Sequence, residues 1–473
     1  MRSAAGNGAG GTRQRIESFL DAWMVDHDVP GLSVACFDPD GLRYANGLGA
    51  RNIEDREPAT PETCYSVASV TKTVTALATL RLVDRSRLDL ADEIREYVSV
   101  WDDVPGDPIT VGDLLSHSAG MPLDYGGQRE PLFSETAPTS PLVTREDRIR
   151  HANGATDRRI EEPAGYLYSN RGYQILGEIV EVVADRTHAD FVERELFDPL
   201  GMDRSQVGHG EVSNAADDAM TGYRIDDGVP VETPFDLEAG MDPPYAAGGM
   251  LSSVTDLSRL GRCLLDGGDL DGTHILSEEL VDAMCDHQAP PWTTIDGHDR
   301  GYGYGTKIVE LADATLVGHT GTSPVSRAYV GMDRERGLGV AMAANTASVP
   351  IEALAFGVLA IARGRSPTAS VPRIALQEKI AAVTGTYVGY RGGVTVAVDA
   401  ADDGGYLEVD YRDGPGWTFP AFPESTGHDD YRFYRVRRDG LREPVTFHET
   451  ADGMEMRCNI DCLVRRTADG PSG

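Results

Sequence analysis

Ser66-Val67-Ala68-Ser69-Val70-Thr71-Lys72, followed by the apolar run Thr73-Val74-Thr75-Ala76-Leu77-Ala78-Thr79-Leu80, is the stretch around which the chain reads. The pattern predicts a serine at the mouth of a helix whose next turn carries a lysine. Residues three apart share a helix face, so Ser69 Oγ and Lys72 Nζ come within reach of each other. A serine hydroxyl is a poor nucleophile until a neighbouring base takes its proton. A lysine is such a base when burial and like charge lower its pKa. A lone Ser-x-x-Lys is more often a capping serine with a solvated lysine one turn on. Composition argues against that here. The chain has three lysines, Lys72, Lys307 and Lys379, against forty arginines. A sequence that avoids lysine on its surface places one in an apolar segment beside a helix-entry serine.

With 473 residues the chain exceeds one ordinary core and is expected to hold at least two domains. The formal charge is −33, with acids spread along the chain rather than gathered in one tail. Nucleic acid and anionic membranes are poor partners for such a surface. Acid excess with lysine nearly absent resembles the proteome of a salt-adapted organism such as a halophilic archaeon. No apolar run approaches a membrane span, and the first residues carry no hydrophobic segment of the signal-peptide kind. The expectation is a cytoplasmic protein behind a disordered lead at 1–11. The six cysteines are few and widely spaced, which predicts no disulfide framework. Cys458 and Cys462 are expected on one strand face, and no metal or cofactor is expected.

Along the chain, a helix over Thr12–His27 precedes strands at 31–37 and 42–49. A helix near 108–122 reads as capped at Thr110 and stopped by Gly120 and Pro122. Residues 124–144 form a polar loop that would border the site. An amphipathic helix follows at 172–184 with Asn170 as its N-cap, and another at 253–265. Strands are expected at 315–321, 328–332 and 337–343. Ser366 to Pro372 reads as a linker, and the last hundred residues as short alternating strands, barrel or sandwich.

Ser69-x-x-Lys72, Tyr168-Ser169-Asn170 and His319-Thr320-Gly321, in that order, resemble the serine β-lactamase and penicillin-binding-protein superfamily. The likeness is to its class C-type branch of esterases, D-aminopeptidases and DD-peptidases. Three further stretches agree: Ile109 to Pro122, with His117 read as structural; Phe197-Asp198-Pro199-Leu200-Gly201-Met202; and Ala246-Ala247-Gly248-Gly249-Met250-Leu251-Ser252-Ser253. The resemblance implies an α+β fold over residues 12–365, an antiparallel sheet flanked by helices with a helical subdomain at about 73–240. A linker at 366–375 then leads to a C-terminal β domain at 376–473 that resembles an appended lipocalin-like module. By the same resemblance Ser69 is the acylated nucleophile and Lys72 and Tyr168 are its proton partners. Asn170 donates near the substrate, and the oxyanion hole is the N–H of Ser69 and of Thr322, just after His319-Thr320-Gly321.

The residues leave open which of Lys72 and Tyr168 takes the serine proton. The tyrosine role would suit a phenol whose pKa nearby cations hold down. His319 departs from the Lys-Thr-Gly of β-lactamases and resembles the His-x-Gly of the peptidase and esterase members. The implied activity is hydrolysis of a small ester or amide, with a small-molecule ester or peptide as substrate. The alternatives are a β-lactamase or penicillin-binding protein with slow deacylation, and a non-catalytic binding protein. An α/β-hydrolase would need Gly-x-Ser-x-Gly, which the chain lacks. The C-terminal module would border the cleft, mediate homo-oligomerisation, or only add stability.

Overall fold

The computed structural model describes residues 6–99, 107–120, 165–208, 217–235, 245–294, 299–389, 392–401, 404–412, 417–427, 430–451, 453–458 and 461–466. The chain divides into two compact units, Met1–Leu359 and Ala360–Gly473.

The first unit is built on a nine-stranded sheet in the order β11-β12-β13-β14-β15-β16-β1-β2-β3. Its strands are β1 (Gly31–Asp38), β2 (Gly41–Asn52), β3 (Glu57–Pro58), β11 (Trp292–Thr293), β12 (Asp299–Tyr302), β13 (Lys307–Leu311), β14 (Ala314–Ser323), β15 (Ser326–Asp333) and β16 (Leu338–Ala344). Every pairing is antiparallel, and β1 lies beside β16 with Leu32 opposite Ala344. Because β1 is buried along its whole length, it reads as a continuous apolar run rather than an alternating one. A three-stranded sheet joins β4 (Tyr65–Ser66), β8 (Met250–Ser252) and β5 (Gln206–Val207). Two ribbons, β6 (Tyr223–Asp226) with β7 (Val229–Glu232) and β9 (Asp269–Leu270) with β10 (Thr273–His274), complete the strands of this unit among the described residues.

Its helices are α1 (Gly6–Asp26), α2 (Thr71–Asp84), α3 (Val111–Ser116), α4 (Asn170–Ala184), α5 (His188–Val192), α6 (Asp198–Leu200), α7 (Val254–Leu265), α8 (Glu278–Cys285) and α9 (Ile351–Ala362), the last running into the second unit. Residues of α2, α4 and α7 share one core with the sheet, including Val74, Leu77, Ile175, Ile179, Leu257 and Leu260. The expected α+β architecture is therefore present. No helix among the described residues is long and apolar enough to cross a membrane.

Several expectations need correction. Helix α1 reaches back to Gly6, so residues from Gly6 onward in the expected disordered lead are helical. Once Ile16 and Leu20 anchor the helix by burial, extending it at the N-terminus costs little per residue. Helix α3 ends at His117, which takes a left-handed conformation (φ 59°), not at Gly120. Its N-cap is Thr110, as expected, in a reciprocal capping box with Asp113. The N-cap of α4 is Ser169, whose Oγ accepts from the Gly172 N–H at 3.1 Å, and Asn170 is the first helical residue. The polar loop at 124–144 lies outside the described residues.

The second unit is a closed barrel of eight strands, β17 (Gly385–Val388), β18 (Thr395–Ala400), β19 (Leu407–Tyr411), β20 (Trp417–Pro423), β21 (Arg432–Val436), β22 (Arg442–Thr450), β23 (Gly453–Cys458) and β24 (Asp461–Arg465). The expected linker is instead helical: α10 (Pro367–Ser370) and α11 (Pro372–Val383). Each begins on a proline, which reads as a breaker but fits the first helical turn, where its missing N–H would have no partner anyway. Leu376, Ile380 and Val383 of α11 join the barrel core with Phe433 and Phe447. Cys458 and Cys462 stand on two strands rather than one, since β23 and β24 pair with Cys458 opposite Asp461. Both are free thiols, the first buried and the second exposed.

Candidate active site

Ser69 lies in a single 3₁₀ turn, Ala68–Val70, that runs directly into α2. Ser69 therefore caps no helix, and the first residues of α2 have no side-chain cap. Ala68 holds φ 44°, a left-handed conformation that an alanine adopts only at a cost in strain. Surrounding contacts hold it there. Val67 N–H donates to Met250 O at 3.1 Å, Ser326 Oγ donates to Ser66 O at 2.8 Å, and Thr71 Oγ1 donates to Ala68 O at 2.6 Å.

Lys72 is completely buried. Its Nζ stands 3.3 Å from Ser69 Oγ, 2.8 Å from Asn170 Oδ1 and 2.6 Å from Ala247 O. Burial, and then the charge of Lys307, hold this amine well below the ordinary lysine value. Ala247 O was not among the residues picked from the sequence, because backbone carbonyls leave no mark there. Its neighbour, the Ala246 peptide, is gripped from both sides. Gln174 Oε1 accepts its N–H at 3.2 Å, and Thr75 Oγ1 donates to its carbonyl at 2.7 Å. Thr75 then accepts from His188 Nε2 at 3.1 Å, a histidine that burial pushes down to about 4 and so keeps neutral.

Burial pushes the Tyr168 phenol above the ordinary tyrosine value, not below it, and outweighs the smaller lowering by the Ser69 side chain. The Lys72 Nζ lies 4.8 Å from the centre of its ring. The lowering of this pKa by nearby cations that was expected is absent. His117 holds the strand-like entry to α4: its Nδ1 accepts from the Ser169 N–H at 3.1 Å, and its carbonyl accepts from the Leu167 N–H at 2.9 Å. Its ring centre is 4.5 Å from that of Tyr168. This is a structural histidine, one that orients the Tyr168 segment.

The His319-Thr320-Gly321 segment is on β14. His319 is buried, with Nδ1 2.7 Å from Thr320 O and Nε2 3.1 Å from the Tyr302 hydroxyl. The carbonyl can only accept, so Nδ1 carries the hydrogen and the Tyr302 O–H donates to Nε2. Burial, followed by the charges of Lys307 and Lys72, holds His319 well below its ordinary pKa. It is a neutral hydrogen-bonding group and not a stand-in for a lysine charge. Gly321 has a steric role: a Cβ there would meet the Val67 carbonyl, with Ser69 N 3.3 Å away. The hydroxyls of Thr320 and Thr322 are engaged elsewhere, accepting from Lys307 Nζ at 2.7 Å and Arg327 Nη1 at 2.6 Å. Ser69, Lys72, Tyr168 and Asn170 thus converge at one point, and the β14 backbone at Gly321 lies against the Ser69 turn. Lys307 had stood out only for its rarity.

The Beta-lactamase family profile matches residues 13–362. That of the Pab87 octamerisation domain matches residues 367–461. The chain is similar to the octameric penicillin-binding protein homologue from Pyrococcus abyssi, with 30% identity and a TM-score of 0.84 over 95% of this chain and 99% of that one. It is 27% identical over 329 residues to protein Rv1367c of Mycobacterium tuberculosis, covering 63% of this chain and 79% of the relative. The D-amino acid amidase of Ochrobactrum anthropi SV3 shares the fold, with 24% identity and a TM-score of 0.57 over 71% of this chain and 91% of that one.

Proposed function

The chain belongs to the Beta-lactamase family of serine hydrolases, and from that premise we propose that it cleaves a small ester or amide through an acyl-enzyme on Ser69. One observation carries the reading: the three neighbours of the buried Lys72 amine. Asn170 Oδ1 and Ala247 O can only accept, so they take its two hydrogens once the amine is neutral. The remaining lone pair then faces the Ser69 hydroxyl. Burial favours that neutral form.

In this scheme Ser69 Oγ attacks the substrate carbonyl while its proton passes to Lys72. The N–H groups of Ser69 and Thr322 hold the developing oxyanion. Tyr168, kept protonated by burial, gives its proton to the leaving group. Water then cleaves the acyl-enzyme ester, and the protons return to Tyr168 and Ser69. The neutral state of His319 supports an ester or amide substrate over one recognised through a carboxylate beside the scissile bond. The match to an octamerisation domain supports a homo-oligomer formed through the C-terminal unit.

Intact-mass spectrometry after incubation with a fluorophosphonate, a penicillin and a p-nitrophenyl ester tests the reading. One fluorophosphonate adduct on Ser69, ester turnover and no lasting penicillin adduct are expected. In Ser69→Ala both adduct and turnover should vanish, with Tm changed by about 2 °C or less. A lasting penicillin adduct would move the assignment to a penicillin-binding peptidase, and turnover by the alanine variant would remove Ser69 as nucleophile.

A further inference from the structure

The two ends of the C-terminal barrel differ. At one end α11 is tied to the strands: Tyr387 Oη donates to Val383 O at 2.7 Å, Arg465 Nη1 donates to Ala382 O at 2.7 Å, and Lys379 Nζ donates to Asp430 Oδ1 at 3.1 Å. These partners sit on β17, at the end of β24 and just before β21. The hairpin connections β19–β20, β21–β22 and β23–β24 gather at the opposite end, where Tyr411 Oη donates to Asp461 Oδ2 at 3.1 Å. No helix among the described residues of this unit caps it.

That uncapped end carries most of the unit's exposed large apolar side chains. Trp417 is 57% exposed, Val436 55% and Leu441 62%. Strand pairing puts them together: β20 and β21 pair with Phe422 opposite Tyr434, and the Arg435 guanidinium lies 4.6 Å over the Phe419 ring. Trp417 is two residues further along β20 toward the β21–β22 turn that holds Leu441. An indole left more than half in water by its own fold is a common anchor at protein interfaces.

Charge points to the same place. The molecule carries −33 overall, yet Arg435, Arg437, Arg438 and Arg442 crowd this hairpin against Asp439 and Glu443. Three of these arginines are already held: Arg435 pairs with Glu443, Arg437 pairs with Asp439 at 3.1 Å, and Arg442 stacks 4.3 Å over Tyr434. Copies of so acidic a chain repel one another over most of their surface. Contact between copies is least opposed where the local charge is neutral to positive and apolar surface is on offer.

We propose that the uncapped end of the barrel, with Trp417, Val436 and Leu441 at its lip, is the surface through which one copy of the chain docks on another. This rests on the reading of the C-terminal unit as an oligomerising domain and assigns it a face. Light scattering coupled to size exclusion, in concentrated salt, tests it on the full chain. Wild type should elute as a multi-copy assembly. Trp417→Asp with Leu441→Asp should at least halve the mass, with the circular dichroism spectrum unchanged. Leu441→Asp alone lies in an exposed turn and keeps the test valid if the double variant misfolds; it should weaken assembly in the same direction. Val464→Asp, near the α11 end, should leave the mass intact. An assembly of full mass in the folded variants overturns the assigned face, whereas a monomeric wild type overturns the oligomer reading itself.

Discussion

In the proposed scheme Lys72 acts as a base only when it has lost its proton, so activity should follow its titration. Its pKa lies below the ordinary value of 10.5 through burial and then Lys307. The value of kcat/KM should therefore rise with pH through a limb well below 10.5 and level off above it. In the same scheme Tyr168 must keep its proton, and burial raises its pKa, so no descending limb is expected before the ordinary tyrosine value of 10.0. Lys72→Arg should cost roughly 10²–10⁴-fold, because a guanidinium does not give up its proton at any working pH. Initial rates on the ester across the pH range check both. A wild-type limb at the ordinary lysine pKa would contradict the buried, neutral base. The residues proposed to touch the reacting atoms stand out in sequence because their chemistry restricts them to few residue types. The groups that aim them were not. Ala247 contributes only a carbonyl, while Thr75 and Gln174 look like ordinary helix residues until folding brings them to the Ala246 peptide.

At the scale of elements, the site depends on how closely β14 approaches the Ser69 turn. Gly321→Ala would drive a methyl into the Val67 carbonyl, and one of the two must yield. A displacement of about 1 Å at a catalytic constellation costs roughly 10²-fold in rate, while overpacking costs about 1–3 kcal/mol in stability. The variant should therefore lose activity out of proportion to its fall in Tm, and full activity would show that the close approach is dispensable. The strands and helices of the catalytic unit were legible because periodicity follows burial, and β14, β15, α4 and α7 are found close to where it places them. Boundaries were less so. His117 ends α3 in a left-handed turn that sequence does not distinguish from one more helical residue. Pro367 and Pro372 open α10 and α11, although the same letters read as a linker when burial against the barrel core is unknown.

For the whole molecule, a charge of −33 opposes compaction unless ions screen it. The screening length falls from about 10 Å at 0.1 M salt to about 3 Å at 1 M. Thermal stability should rise steeply across that range, with near-UV dichroism and activity fading on dialysis to low salt. Retention of all three in dilute buffer would separate the acidic surface from any need for salt. The same screening removes the mutual repulsion that keeps highly charged proteins apart, and concentrated salt also strengthens apolar association. For the barrel, topology then takes over from charge as the guard against strand-on-strand association. The nine-stranded sheet ends on β11 and β3, each two residues long, and the eight-stranded barrel closes on itself through the β17–β24 pair. Among the described residues the closed barrel offers no long row of unpaired backbone groups for an incoming strand, whereas β2, twelve residues long, meets β3 only at Ala50 and Asn52. Where salt screens away the repulsion between copies, the barrel's closure still denies an incoming strand an edge.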